Sequence, residues 1–294
     1  MRRARRERAL VALALLAACG RGLPEPGAEE RAALAALAAA AAEAPEPSAG
    51  CRAGALARAR GERGILTVGG EERAYLIDAP AAPADRPLPL VLSFHGFRGS
   101  ARGQRWWTGL GRLALREGFV AVHPEGHDGV HLLGTTGRGW DFRPGETRDT
   151  DFVRALLDGL ERERCVDRRR VFATGMSNGA FFASLLGCVA ADRLAAVAPV
   201  SGGLDLRTCV PVRAVPVLVV YGRADRIVPA EMVHGARDWW ARANGCGPAV
   251  EREGCTRYTR CAADVVYCEG PQAHRWPRSA TARVWRFFQA HPRH

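Results

Sequence analysis

The chain has 294 residues, 47% of them hydrophobic and 25% charged, which is enough for one large domain with a buried core. Its 42 basic residues, all arginine, outnumber 31 acidic residues and give a formal net charge of +11. The arginines are scattered and lack the interleaved aromatic residues of a single-strand binder. We therefore attribute the excess to codon bias and expect no nucleic-acid partner.

The first 18 residues have the pattern of a targeting signal. A basic stretch over 1–8 precedes an apolar stretch over 9–17, which is too short to cross a bilayer. The signal closes with LAAC, which resembles a bacterial lipobox. We expect Cys19 to carry lipid and to anchor the protein to a bacterial membrane surface. The alternative is an ordinary secretory signal cleaved near Ala18, and both predict export to the periplasm or the extracellular space.

Residues 19–50 are rich in alanine and proline, and we interpret them as a tether before a folded domain over 51–294. Eight cysteines remain after Cys19, an even number that predicts up to four disulfides in an oxidising compartment. The last four lack the paired C-x₂₋₄-C spacing of zinc modules, so we expect no metal site. The disulfide candidates, whose pairing the sequence does not select, are Cys51, Cys165, Cys188, Cys209, Cys246, Cys255, Cys261 and Cys268.

Apolar runs alternate with helical patterns along this domain, which predicts an α/β fold. Two runs at 65–68 and 74–77 flank a Gly-Gly pair and indicate an opening antiparallel hairpin. Continuous apolar runs predict strands buried on both faces, as in a parallel sheet. Those strands are predicted at 88–94, 119–122, 170–174, 194–200, 215–221 and 264–268, and helices at 110–116, 151–164, 180–186, 232–244 and 280–290.

Between one predicted strand and helix, residues 175–179 read GMSNG. This is the G-x-S-x-G nucleophile elbow in the strand–turn–helix context that it requires. The flanking glycines remove the Cβ atoms that would clash in so tight a turn. The turn raises the Ser177 hydroxyl above the sheet edge, beside a helix N-terminus that can stabilise an oxyanion. Ser177 is therefore the candidate nucleophile.

A serine nucleophile needs a base to take its proton and an acid to orient that base. Asp225 comes directly after the strand at 215–221, where such an acid is expected, although an aspartate there could instead cap a helix. His274 lies in a loop after the last predicted strand, and the other histidines beyond Asp225 fall in a helical pattern or at the C-terminus. A plain surface histidine is the alternative for His274.

Two backbone N–H groups should form the oxyanion hole. One belongs to Asn178, the residue after the nucleophile. The other is nominated by His-Gly-Phe at 95–97, which ends the strand at 88–94 and offers the amide of Phe97. We interpret His95 as a structural member of this loop beside the pocket and not as the base.

These motifs resemble the α/β-hydrolase esterases of the polyhydroxybutyrate depolymerase, feruloyl esterase and acetylxylan esterase group, over about residues 74–288. The resemblance implies an α/β-hydrolase fold, with a mostly parallel, doubly wound sheet and an antiparallel N-terminal hairpin. It implies secreted carboxylic-ester hydrolysis with Ser177, Asp225 and His274 as the triad. We expect this secreted or surface-anchored serine esterase to act through an acyl-enzyme as a monomer, and the mechanism requires no cofactor. The resemblance also implies that Cys246 pairs within the segment 255–268. The motifs are HG at 95–96, GMSNGA at 175–180, APVSG at 198–202, GRADRIVP at 222–229, NGC at 244–246 and HRWP at 274–277.

The substrate is less defined than the chemistry. The chain has Tyr-Gly at 221–222 where the family usually has His-Gly, and Arg278 replaces a customary glycine. Tryptophans on predicted loops suit a phenolic acyl group, a sugar ring or a polyester chain, which favours hydroxyalkanoate, feruloyl or acetyl esters. The pocket candidates are His95, Trp106, Trp107, Trp140 and Trp276, whereas Trp239 and Trp240 fall in a helix and are expected to pack.

Two other functions use the same residues differently. A secreted serine peptidase would employ the same triad. A binding protein on a hydrolase scaffold should lack a triad member, and this chain has all three.

Overall fold

In the computed structural model, the described residues are 44–52, 58–81, 86–132, 134–143, 145–204 and 209–293. Residues Pro45–His294 form one compact unit. The predicted signal peptide, Cys19 and most of the predicted tether lie outside the described residues. Within the described part, none of the helices combines the length and the apolar character needed to cross a membrane.

Strands dominate the centre of the unit. In the described residues they are β1 (Ala59–Val68), β2 (Glu71–Ala79), β3 (Leu88–Phe94), β4 (Val120–Pro124), β5 (His127–Leu132), β6 (Thr135–Gly139), β7 (Val166–Met176), β8 (Ala196–Val200), β9 (Val217–Gly222), β10 (Ala249–Arg252), β11 (Cys255–Tyr258) and β12 (Val265–Gly270).

One large sheet has the order β1-β2-β4-β3-β7-β8-β9-β12-β11-β10, and β5 pairs with β6 in a separate ribbon. The central strands β4, β3, β7, β8, β9 and β12 are parallel to one another. The pairs β1–β2 and β2–β4 at one end of the sheet, and β12–β11 and β11–β10 at the other, are antiparallel. The β1–β2 turn uses Gly69 and Gly70 at positive φ (59° and 82°), the backbone that a two-residue hairpin favours. The predicted fold class, a mostly parallel sheet with an N-terminal antiparallel hairpin, is confirmed.

The helices in the described residues are α1 (Ala101–Thr108), α2 (Leu110–Glu117), α3 (Arg148–Glu163), α4 (Asn178–Val189), α5 (Ala230–Ala243) and α6 (Ala280–Gln289), with a 3₁₀ turn at Ala49–Arg52. Two apolar clusters cover the two faces of the sheet. One contains residues of α3, α4 and α5, and the other contains residues of α2 and α6. Because helices lie on both faces, the central strands are buried on both sides and read as unbroken apolar runs.

Four disulfides join the eight predicted cysteines: Cys51–Cys165, Cys188–Cys209, Cys246–Cys261 and Cys255–Cys268. The expected pairing of Cys246 within the segment 255–268 is confirmed. Disulfides are typical of proteins in oxidising compartments, which suggests export.

Candidate active site

The turn at Ser177 joins β7 to α4 in a backbone conformation that few residues adopt, with φ 55° and ψ −124°. A Cβ on Gly175 would collide with the backbone of Gly179, and a Cβ on Gly179 would collide with the carbonyl of Phe94. The Ser177 N–H donates to the carbonyl of Val200 on the next strand at 3.1 Å. The elbow is therefore held by close backbone packing that only glycine at both positions permits.

Asp225 and His274 lie together because β9 and β12 are parallel neighbours whose carboxyl ends meet at one edge. The His274 Nδ1 is 2.7 Å from the Asp225 Oδ2. The other oxygen, Oδ1, accepts the N–H of Ile227 at 2.9 Å and of Val228 at 3.0 Å. The carboxylate is fully buried and the ring is 18% exposed. Asp225 thus fixes the tautomer of His274 that keeps Nε2 free to accept a proton.

Gln272 connects the loops that carry the acid and the base, and the sequence analysis did not single it out. The Gln272 side-chain amide donates to the main-chain carbonyl of Tyr221 at 2.9 Å, and the Gln272 main-chain carbonyl accepts the N–H of Ala224 at 3.2 Å. Gly222 approaches so closely that a Cβ there would strike the Gln272 backbone. A loop glutamine has no sequence signature for such a role, because only the pairing of β9 and β12 brings it to Tyr221.

His274 lies at a cavity of about 450 Å³ that also reaches the residues beside Ser177. Its lining includes His274, Gly96 and Met176. A Cβ built on Gly96 would lie 3.3 Å from the Ser177 Cβ and 3.9 Å from its Oγ. Within the described residues, the His274 side chain is hydrogen-bonded to Asp225 but not to Ser177. In enzymes without bound substrate, the hydrogen bond between base and nucleophile is often long, and it shortens when substrate binds.

One candidate oxyanion donor, Asn178, lies in the elbow itself, and the other, Phe97, lies in the loop after β3. Arg98, at φ 58°, donates its N–H to the carbonyl of Arg138 at 2.7 Å, and Gly99 donates to Gly96 at 2.9 Å. These bonds fix the loop that carries Phe97. Asn178 begins α4. Within the described residues, neither its N–H nor that of Phe97 donates a hydrogen bond. The oxyanion hole formed by these two amides therefore remains a prediction.

His95 has its two ring nitrogens occupied by the backbone. Nδ1 lies 2.8 Å from the carbonyl of Gly96, and Nε2 accepts the N–H of Gly126 at 2.9 Å. Burial lowers the pKa of His95, so the ring is held neutral. His95 lines the cavity, and its contacts with Gly96 and Gly126 hold the backbone near the loop that carries Phe97.

The expectation that Trp140 belongs to the pocket needs correction, because its side chain is fully buried. Its ring stacks on Phe182, and its Nε1 donates to the carbonyl of His95 at 2.9 Å. The Asn178 side chain accepts the Trp140 N–H at 2.8 Å and donates to its carbonyl at 2.9 Å. Trp140 is thus a core residue that ties the oxyanion loop to α4, and a residue type alone does not reveal which way its ring faces.

The remaining candidate tryptophans line the catalytic cavity or the groove beside it. Trp106 and Trp107 are 66% and 63% exposed and meet edge to face at 4.8 Å. Trp276 is largely buried, and its Nε1 donates to Thr281 at 2.9 Å. Trp107 and Trp276 line both the 450 Å³ cavity and an adjoining groove of about 880 Å³. Trp239 and Trp240 are buried, as expected for packing residues.

Two known proteins with similar sequences are named as esterases. The chain is 28% identical over 180 residues to feruloyl esterase B of Piromyces equi, covering 52% of this chain and 33% of that protein. It is 33% identical over 123 residues to the bifunctional acetylxylan esterase/xylanase XynS20E of Neocallimastix patriciarum, covering 42% and 17%. The chain thus spans a third or less of the length of either relative.

Solved structures share the fold. The acetyl xylan esterase from Aspergillus awamori superposes with a TM-score of 0.59 at 15% identity, over 78% of this chain and 99% of that one. A thermostable esterase superposes with a TM-score of 0.60 at 18% identity, over 79% and 63%. The sequence model of the family described as esterase PHB depolymerase matches residues 73–263. Since that match extends over more than half of the chain, the chain belongs to the esterase PHB depolymerase family, within the α/β-hydrolase fold.

Proposed function

We propose that this chain is a serine carboxylic-ester hydrolase that acts through an acyl-enzyme on Ser177. The observation that carries the proposal is the 2.7 Å pair of Asp225 and His274, which lies at the same cavity as the strained serine elbow. A buried acid, an oriented imidazole and a partly buried serine hydroxyl at the elbow supply the three parts that nucleophilic acyl transfer requires.

The mechanism follows from these positions. The Ser177 Oγ attacks the ester carbonyl carbon while its proton passes to the Nε2 of His274. The N–H groups of Phe97 and Asn178 stabilise the oxyanion of the tetrahedral intermediate. His274, with Asp225 stabilising its positive charge, then protonates the leaving alcohol. Water, activated by the same imidazole, hydrolyses the acyl-enzyme and restores the serine.

Hydroxyalkanoate, feruloyl and acetyl esters are the proposed substrates. The family match and the named relatives support these acyl classes. An aromatic cavity mouth formed by Trp107 and Trp276 is compatible with each of them. The chemistry needs no metal or organic cofactor.

We also propose that the protein is exported as a monomer. In this arrangement residues 1–18 form the signal, lipidated Cys19 anchors the chain to a bacterial membrane, and the predicted tether leads into a catalytic domain whose compact unit begins at Pro45. Four disulfides support export. Mass spectrometry of the purified N-terminus tests the anchor, and an unmodified N-terminus would exclude it.

Hydrolysis of p-nitrophenyl butyrate tests the activity, with Ser177→Ala as the decisive variant. We expect the variant to lose on the order of 10³-fold or more in kcat while its unfolding curve stays close to that of the wild type. Ser201→Ala is a matched control, because Ser201 also follows a central strand at positive φ (52°) and is buried, yet its hydroxyl has no partner among the described residues. Equal activity of Ser177→Ala and the wild type would refute the proposal.

A further inference from the structure

The groove that adjoins the catalytic cavity combines aromatic surface with positive charge. Its lining includes Trp106, Trp107 and Trp276, together with the side chains of Arg112, Arg275 and Arg278. Among the described residues that line it, none is acidic. The groove therefore presents three cations with no compensating carboxylate on its wall.

These arginines are available for a ligand. All three are exposed, and among the described residues no carboxylate oxygen lies within 4.0 Å of them. Some other exposed arginines are paired with a carboxylate, as Arg148 is with Glu71. Clustered charges of one sign in a concave site concentrate ligands of the opposite sign. A guanidinium also matches the geometry of a carboxylate.

The position of the groove assigns it to the leaving side of the reaction. His274 must deliver its proton to the oxygen of the departing alcohol, so that alcohol lies against the imidazole. His274 lines the catalytic cavity, and the residues that follow it in its loop, Arg275, Trp276 and Arg278, line the groove. Arg275 and Trp276 line both. The candidate oxyanion amides instead belong to the loop after β3, for Phe97, and to the elbow, for Asn178. The alcohol portion of a bound ester therefore extends into the groove.

We propose that this groove is a subsite for esters whose alcohol portion carries a carboxylate, such as the ester of a hydroxy acid. Arg112, Arg275 and Arg278 would hold the carboxylate, and the tryptophans would cover the apolar part of the same alcohol. The inference rests on the proposed esterase function and specifies its substrate. The scissile ester and the acyl-enzyme step are unchanged, and the product that leaves is a free hydroxy acid.

Two matched substrates test the subsite, 3-butyryloxybutanoate and its uncharged primary amide, 3-butyryloxybutanamide. They share the acyl group and differ only in the charge of the alcohol portion. For the wild type we expect kcat/KM, measured by release of butyrate, to be about tenfold higher for the acid than for the amide. The preference should shrink in about 0.5 M NaCl, because salt screens exposed charges.

Variants assign the effect to the arginines. Arg112→Gln, Arg275→Gln and Arg278→Gln should each lower the acid-to-amide ratio by about two- to threefold, and the triple variant should bring the ratio close to one. The ratio is measured within each variant, so a loss of folded enzyme cancels. Arg63→Gln is the control, since Arg63 is exposed on the edge strand β1, outside both cavities, and its removal changes the net charge equally.

The outcomes separate the two proposals. Hydrolysis of p-nitrophenyl butyrate with an acid-to-amide ratio of one or less overturns the subsite and leaves the esterase function standing. A preference for the acid that survives the triple variant, or that falls equally in Arg63→Gln, also overturns the assignment of these arginines. Absence of hydrolysis for every butyrate ester instead defeats the proposed function.

Discussion

Gly179 determines the active-site turn by having no side chain. A Cβ at this position would meet the carbonyl oxygens of Phe94 and His95, which belong to backbone and cannot rotate away. The neighbouring N–H of Asn178 is a candidate oxyanion donor, so any displacement of α4 also moves that donor. Packing and catalysis therefore depend on the same missing atom.

Gly179→Ala should impair both stability and activity. We expect overpacking to cost about 1–3 kcal/mol of unfolding free energy. We expect kcat for p-nitrophenyl butyrate to fall by about 10²-fold, because a displacement of around 1 Å is enough to spoil the alignment of reacting groups. Urea unfolding and steady-state kinetics on the same preparation measure the two effects.

Gly235→Ala is the matched control for this substitution. Gly235 also lies in a helix, α5, but a Cβ there would have no heavy atom within 4 Å. Alanine is favoured over glycine in a helix by up to about 1 kcal/mol, so this variant should be slightly more stable. If Gly179→Ala behaved like Gly235→Ala, the close packing of the elbow would not be what constrains the turn.

At the scale of elements, a buried charged cluster fastens β2, β5 and α3 together. Arg73 Nη2 lies 2.7 Å from Asp149 Oδ1, and His127 Nε2 lies 3.3 Å from Asp149 Oδ2. Burial alone would raise the pKa of Asp149, but contacts with His127, the Asp141 N–H and Arg73 hold it below its usual value. The carboxylate therefore stabilises the fold at neutral pH, and this contribution is lost as the pH falls through the lowered folded pKa.

Asp149→Asn should destabilise the protein strongly at neutral pH. The substitution leaves the Arg73 guanidinium, whose side chain is only 5% exposed, buried without its anion. Removing one partner of a buried ion pair costs about 3–5 kcal/mol, which urea unfolding near pH 7 would register. Asp151→Asn, an exposed residue in the same first turn of α3, should cost no more than about 1 kcal/mol. Comparable losses in the two variants would show that the buried pair contributes little.

Sequence patterns predicted those elements whose burial is uniform. The strands β3 and β9 carry unbroken apolar runs because helices cover both faces, and β3 begins and ends as predicted. The sequence analysis missed α1, the β5–β6 ribbon and the β10–β11 hairpin. α1 exposes Trp106 and Trp107, so it shows no buried apolar stripe, and the sequences of β5 and β6 are largely polar. These elements depend on tertiary contacts that local periodicity does not encode.

For the candidate active site as well, features encoded locally could be predicted from the sequence, and features that depend on long-range contacts could not. Ser177 could be nominated because a nucleophile elbow is a local structure, encoded within five residues. Asp225 and His274 could be nominated because parallel strands deliver their following loops to one edge. The buried orientation of Trp140 and the hydrogen bonds by which Gln272 connects two loops could not be predicted. Each depends on contacts with distant parts of the chain.

At the scale of the whole molecule, the disulfide Cys51–Cys165 ties the start of the compact unit to the beginning of β7. The two cysteines are 114 residues apart in sequence. Hydrogen bonds reinforce the junction, since the Ser48 N–H donates to Val166 at 2.9 Å and its hydroxyl donates to Arg164 at 2.7 Å. By contrast, Cys255–Cys268 spans 13 residues and joins directly paired positions of β11 and β12.

Loop length therefore predicts unequal losses when either disulfide is removed. In the chain-entropy account, the double substitution Cys51→Ala with Cys165→Ala should cost about 5 kcal/mol, and Cys255→Ala with Cys268→Ala about 3 kcal/mol. Urea unfolding without reductant measures both, and the first variant should also show the larger increase in the denaturant slope, because its unfolded chain gains more freedom. If the two variants lost equal stability with unchanged slopes, the long-range disulfide would act through native contacts near Ser48 and not by restricting the unfolded chain.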